Sequence, residues 1–171
     1  MKQRKTAQPR FFDSLDTPLG SLYLVFSGPA LTGISFDRPA GIELKKTADS
    51  GLVKKELMEY FANAREEFTC MTAFIEGTKF EKKVWELIRE IPYGETRTYK
   101  WVAEKIGEPH AFRAVGNALG KNPIPIVFPC HRVIESSGSI GGYSSGVRIK
   151  QRLLEIEYYT KTAGPEGRQR G

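Results

Sequence analysis

Long apolar runs are missing from this sequence: none approaches the roughly 18 residues that a membrane helix needs, which excludes a helical span. Secretory features are missing too. The N-terminus MKQRKTAQPR is basic, yet it continues into FFDSLDTPLG rather than into an apolar stretch with a small-residue cleavage site. The expectation is a protein that stays inside the cell, cytoplasmic or, in a eukaryote, nuclear. Cysteine is scarce. Cys70 and Cys130 allow at most one disulfide, and nothing else suggests a small secreted scaffold, so reduced thiols are expected. Histidine is equally scarce: His110 and His131 stand without any Cys-x-x-Cys or His-x-x-x-His pair, too few ligands for zinc. Carboxylates alone can hold magnesium, but no motif asks for it, and no cofactor is expected.

What the chain does have is 171 residues, 40% of them hydrophobic and 27% charged, enough for one mid-sized domain or two small ones with a real core. The net charge of +6 and pI near 9.3 favour a polyanionic partner, although solvated lysines alone can produce such a balance.

Phe11 to Thr17 and Ser21 to Ser27, joined by Pro18, Leu19 and Gly20, read as a β-hairpin, with a third strand over Leu31 to Phe36. Leu52 to Ala64 carries Leu52, Leu57, Tyr60 and Phe61 at near-helical spacing. Residues 1–75 therefore read as a small α+β unit without a chemical motif. Cys70, between Thr69 and Met71, reads as a buried small hydrophobe. A second unit, residues 78–160, opens on the capping box of Thr78 and Glu81, after which Phe80, Val84, Leu87, Ile88 and Ile91 recur on one face up to Pro92. Thr98 caps a short helix that Gly107 stops, and a second helical run covers Ala111 to Leu119, which makes a helix-turn-helix candidate. The second of these helices places Arg113 among the small residues Ala114, Gly116 and Ala118, a surface that a polyanion backbone can approach. The basic stretch from Thr162 to Gly171 has no apolar periodicity, and a disordered tail is expected over 161–171.

The chemistry gathers around Cys130. Pro123, Pro125 and Pro129 stiffen the approach to it, and His131 and Arg132 follow directly. A cysteine attacks as thiolate, and a nearby imidazole or guanidinium eases formation of that anion. Adjacent residues in an extended chain point apart, so contact between Cys130 and His131 requires a bend or a bridging water.

Ordered over Phe80 to Glu157, Tyr93-Gly94-Glu95, Thr98-Tyr99, Arg113-Ala114-Val115-Gly116, Asn122-Pro123, Pro129-Cys130-His131-Arg132-Val133 and Gly142-Tyr143-Ser144 resemble the O6-alkylguanine-DNA alkyltransferases, also called methylated-DNA–protein-cysteine methyltransferases. The N-terminal part resembles that family only in strand and helix order. The resemblance implies an α+β protein, with an N-terminal ribonuclease H-like domain and a mainly helical catalytic domain containing the helix-turn-helix. It implies irreversible, stoichiometric transfer of an alkyl group from O6-alkylguanine to Cys130, without a cofactor. The implied partner is double-stranded DNA, bound by a monomer through the minor groove with the damaged base flipped out. A flipped base is physically necessary, because a thiolate cannot reach the alkyl group inside a closed duplex.

Residue by residue, the resemblance makes His131 the base acting through water and Glu157 its orienter, with Asn122 supporting the active-site turn. Arg113 takes the place of the flipped nucleotide, with Ala114 and Gly116 facing DNA, and Tyr99 assists flipping and donates to the guanine ring. The backbone around Cys130 and Val133 reads the guanine amine, and Tyr143 and Ser144 close over the base. The ligands of the zinc site found in some family members are missing, and Phe112 is bulkier than the small residue expected beside Arg113. Two other classes stay open at this point: a lesion-binding protein without chemistry, and a cysteine hydrolase using Cys130 and His131. Singly, Tyr99 and Tyr143 also read as half-buried core aromatics, and Glu157 as a solvated helix residue beside Lys150 and Arg152.

Overall fold

The computed structural model describes residues 8–162. Its first layer is a four-stranded sheet of β1 (Arg10–Thr17), β2 (Gly20–Ser27), β3 (Ala30–Ser35) and β4 (Glu43–Leu44), in the order β3-β2-β1-β4. The hairpin β1–β2 is antiparallel and in register from Arg10↔Ser27 to Thr17↔Gly20. Its turn is held by Thr17, whose Oγ1 accepts from the Leu19 N–H at 3.1 Å and donates to the Gly20 carbonyl at 2.7 Å. β4 then returns parallel to β1, so the short segment after β3 crosses the sheet.

Helix α1 (Ala48–Phe61) packs on this sheet, and its limits differ from the expected Leu52 to Ala64. It starts earlier because Thr47 and Ser50 form a reciprocal capping box, which apolar periodicity does not reveal. It stops earlier because Ala62 caps it and Asn63, with φ of 60°, turns into the left-handed region that Asn tolerates.

Helix α2 (Lys79–Ile88) begins at the expected Thr78–Glu81 capping box, with Glu81 N–H to Thr78 Oγ1 at 3.1 Å and Thr78 N–H to Glu81 Oε2 at 2.8 Å. The helix ends at Ile88 rather than running to Pro92, and Ile91 reaches the core from a tightened turn in which its N–H bonds the Ile88 carbonyl. A short strand β5 (Arg97–Thr98) leads directly into α3 (Tyr99–Lys105), and α4 (Phe112–Gly120) follows after a turn in which Gly107 has φ of +83°. A 3-10 turn (Cys130–Arg132) precedes β6 (Val133–Ile134), which pairs parallel with β5. That small pairing sets Tyr99, the first residue after β5, beside the turn that carries Cys130. Helix α5 (Val147–Thr162) completes the described chain, so residues 161 and 162 continue a helix, while the rest of the expected tail and the basic start at 1–7 lie outside the described residues.

The fold is thus mixed α/β, with five helices among the described residues. One hydrophobic core joins both halves of the chain, from Leu22, Phe26 and Tyr60 to Val84, Ile91, Phe128 and Leu153. On α5, Lys150, Leu153 and Glu157 recur at i, i+3 and i+7 and all face inward, so this helix sends a cation and a carboxylate into the interior.

Candidate active site

The segment from Asn122 to Arg132 is folded to hold one thiol. Asn122 anchors it twice: Oδ1 accepts the Ile124 N–H at 3.0 Å, and Nδ2 donates to the Phe128 carbonyl at 2.7 Å. Pro129 sits at φ −81° and ψ 65°, and the Cys130 N–H closes back on the Phe128 carbonyl at 2.8 Å, an inverse γ-turn. Within this segment Ile126 has φ of 74°, a conformation that opposes its β-branched side chain and persists because the residue is buried.

Cys130 lies 5% exposed at a cavity of about 330 Å³ lined by Tyr99, Gly116, Leu119, Gly120, Cys130, Gly142, Tyr143 and Ser144. Two glycines of α4 make one wall open. Burial pushes the thiol's pKa up, against the opposing influence of the Asn122 amide, the Tyr143 hydroxyl and the charge of Lys150. Among the described residues the Tyr143 hydroxyl is buried without a conventional hydrogen bond, and the group it faces is this sulfur; its own pKa is raised by burial and then by Cys130.

Behind the thiol stands a buried network centred on Glu157. Its Oε1 lies 2.6 Å from His131 Nε2, accepts from the Tyr60 hydroxyl at 2.7 Å and from Arg132 Nη2 at 3.0 Å. Its Oε2 accepts from Arg132 Nε at 2.9 Å and from the Gly94 N–H at 3.2 Å. Burial alone would raise the pKa of this carboxyl, but the charge and hydrogen bond of His131, followed by those of Arg132, hold it well below the usual range. In the neutral tautomer that donates from Nε2 to the carboxylate, Nδ1 of His131 carries the lone pair, and among the described residues it is buried without a hydrogen-bond partner.

The expected residues therefore separate into three positions. Tyr99, Gly116, Cys130, Tyr143 and Ser144 line the cavity. Asn122, His131, Val133 and Glu157 are buried in its support. Arg113 and Ala114 lie exposed on the outer side of α4. Arg132 is placed differently from the expectation that it would aid the thiolate: its guanidinium is committed to Glu157 and to the Ile91 carbonyl at 2.7 Å. Among the described residues, no group of three or more His, Cys, Asp and Glu side chains is arranged to hold a metal ion, and no helix is long and apolar enough to cross a membrane.

Residues 79–159 match the family model of the 6-O-methylguanine DNA methyltransferase DNA-binding domain. A methylated-DNA–protein-cysteine methyltransferase of Methanosarcina barkeri is 43% identical over 155 residues, 86% of this chain and 96% of that protein. This chain belongs to the methylated-DNA–protein-cysteine methyltransferase family. The crystal structure of Mycobacterium tuberculosis O6-methylguanine methyltransferase matches with a TM-score of 0.81 at 40% identity, covering 88% of this chain and 94% of the other. A structure of Mycobacterium tuberculosis OGT in complex with DNA matches with a TM-score of 0.82 over the same shares at 40% identity.

In this methyltransferase-family chain, sequence reasoning missed two side chains that touch the site. Lys150, 1% exposed, donates to the Val133 carbonyl at 2.7 Å and to the Gly142 carbonyl at 3.2 Å, and stands over the Tyr99 ring at 5.8 Å. Burial lowers its pKa to about 8. Tyr60 reaches Glu157 across 97 residues of sequence. Neither carries a local motif; for Lys150 the available hint is its spacing from Leu153 on α5.

Proposed function

We propose that this protein repairs DNA by direct reversal, moving an alkyl group from O6-alkylguanine to Cys130 in a single irreversible turnover. The observation that carries this is a buried thiol in a cavity open along α4, with the His131–Glu157 pair behind it. At rest burial keeps the thiol protonated. His131 takes the thiol proton through a bridging water, and Glu157 orients the imidazole and stabilises its cation. The Cys130 sulfur then bonds the alkyl carbon as the carbon–O6 bond breaks, and the electron pair leaves on the guanine. Tyr99 donates a hydrogen bond to the departing ring, and Ser144 assists the oxygen. Tyr143 closes the pocket, and the backbone at Cys130 and Val133 recognises the guanine amine. The second lone pair of the Val133 carbonyl serves this, since Lys150 occupies the other. The thioether product is a stable bond with no evident return to thiol, so no cofactor or metal enters the cycle.

The partner in this reading is double-stranded DNA bound through the minor groove by a monomer inside the cell. Arg113 fills the place of the flipped nucleotide, and Ala114 and Gly116 allow close approach. Residues 1–75 form a ribonuclease H-like domain, a description supported by the sheet order β3-β2-β1-β4 with α1 packed on it, and residues 78–160 form the catalytic, DNA-binding domain with α3 and α4 as its helix-turn-helix. The lesion-binding alternative has no use for a cysteine so placed. Labelled methyl in O6-methylguanine duplex DNA should reach at most one equivalent of native protein and none of Cys130→Ser. Lesion binding by the native protein without label transfer would establish the alternative.

A further inference from the structure

The N-terminal turn of α4 holds a large apolar side chain in solvent. Phe112 is 47% exposed, next to the exposed Arg113, and neither side chain has a hydrogen bond, ion pair or ring contact among the described residues. Helical register gives this position its meaning. Gly116, Leu119 and Gly120, all lining the Cys130 cavity, follow Phe112 at i+4, i+7 and i+8, so the cavity-facing stripe of α4 continues N-terminally into Phe112. Phe112 stands one turn, about 6 Å along the axis, from the cavity edge at Gly116. From that edge onward the stripe carries no side chain at Gly116 or Gly120. A Cβ added at Gly120 would meet open space, and one at Gly116 would make only ordinary contact with Tyr99. The cap residue Ala111 makes no side-chain hydrogen bond to the first turn, so backbone N–H groups there remain free for a phosphate.

An aromatic ring at the head of a smooth path into the reactive cavity has the form of a wedge. Proteins that enter the minor groove use such side chains to separate base steps, and base–aromatic stacking is sequence-tolerant because every base has a π-face. Resting on the alkyltransferase reading, we propose that Phe112 is a second prong beside Arg113. Its ring stacks on the base next to the lesion in the opened duplex and holds the damaged nucleotide out of the helix and over Cys130. Arg113 supplies charge and hydrogen bonds; Phe112 supplies the stacking surface that replaces the lost neighbour.

The test compares single-turnover transfer to Cys130 from two donors, an O6-methylguanine duplex and free O6-benzylguanine, which requires no base opening. In Phe112→Ala the ratio of duplex rate to free-base rate should fall about fivefold or more, fivefold being the low end of what one base–aromatic stack contributes. Phe112→Tyr, which keeps the ring, should restore it. A native ratio in Phe112→Ala overturns the wedge. An equal fall in both rates also overturns it, because the side chain would then act through the fold. Transfer from neither donor to native protein would instead sink the acceptor reading itself.

Discussion

Replacing Glu157 with Gln changes one atom type in a side chain that is 1% exposed and accepts five contacts. Either orientation of the new amide sets its NH2 against donors. With the carbonyl at Oε1, the NH2 faces Arg132 Nε and the Gly94 N–H; flipped, it faces the Tyr60 hydroxyl, His131 Nε2–H and Arg132 Nη2. Arg132, 5% exposed, also loses its counter-charge. Removing one partner of a buried ion pair costs about 3–5 kcal/mol, and Glu157→Gln should fall in that range at pH 7. The deficit should depend on pH. The Glu157 carboxyl binds its proton less readily in the fold than in the unfolded chain. Its stabilising contribution is therefore complete above the unfolded value of about 4.3 and is lost as pH falls below it, whereas Gln has no proton to gain. Urea unfolding followed through the buried Trp85 should give a large difference between native and variant at pH 7 and a smaller one at pH 3. A difference under about 1 kcal/mol at pH 7, or one equal at both pH values, would refute the placement of Glu157 as the charged centre of this network.

Three further outcomes follow from neighbouring geometry. Tyr60→Phe removes one neutral donor while Oε1 keeps two partners, so the same unfolding assay should show about 1–2 kcal/mol, clearly less than Glu157→Gln. Asn122→Ala deletes both anchors of the segment before Cys130 and one stabiliser of its thiolate; methyl transfer should slow by about tenfold or more, with about 2–3 kcal/mol lost in urea. Cys70 has its pKa pushed up to about 12 by burial and by Glu56, so it is a poor nucleophile, and Cys70→Ser should still accept one equivalent of labelled methyl.

Local chemistry was legible in the sequence where the partner lies three or four residues away. The Thr78–Glu81 box, the β1–β2 hairpin and the stop at Gly107 are all of that kind, and each stands where its residues predict. The start of α1 was not, because Ala48, Asp49, Ser50 and Gly51 show no apolar period; the capping pair Thr47 and Ser50 is the feature that could have found it. Cys130 and His131 are legible as a motif, but the placement of Arg132 is not. Adjacency along the chain says nothing about direction, and the 3-10 turn sends this guanidinium to Glu157 rather than to the sulfur. The inward-facing Lys150 and Glu157 escape hydropathy altogether, since a charged residue on a helix ordinarily marks the solvent face.

The placement of Glu157 explains why those long-range contacts matter to function. Its oxygens join Tyr60 of α1, Gly94 before β5, and His131 and Arg132 of the 3-10 turn to α5. A single carboxylate thus both closes the fold around its core and fixes the His131 imidazole next in sequence to Cys130. A charge so enclosed is tolerable only if every lone pair is used, because an unpaired buried charge costs several kcal/mol. A tyrosine from the N-terminal half, where sequence alone shows no chemistry, adds a further donor to the same oxygen. Residues 78–160 carry the Cys130 motif, yet one of the three donors on Oε1, the Tyr60 hydroxyl, comes from outside them. The N-terminal unit is therefore joined to the reactive site by a hydrogen bond as well as by packing.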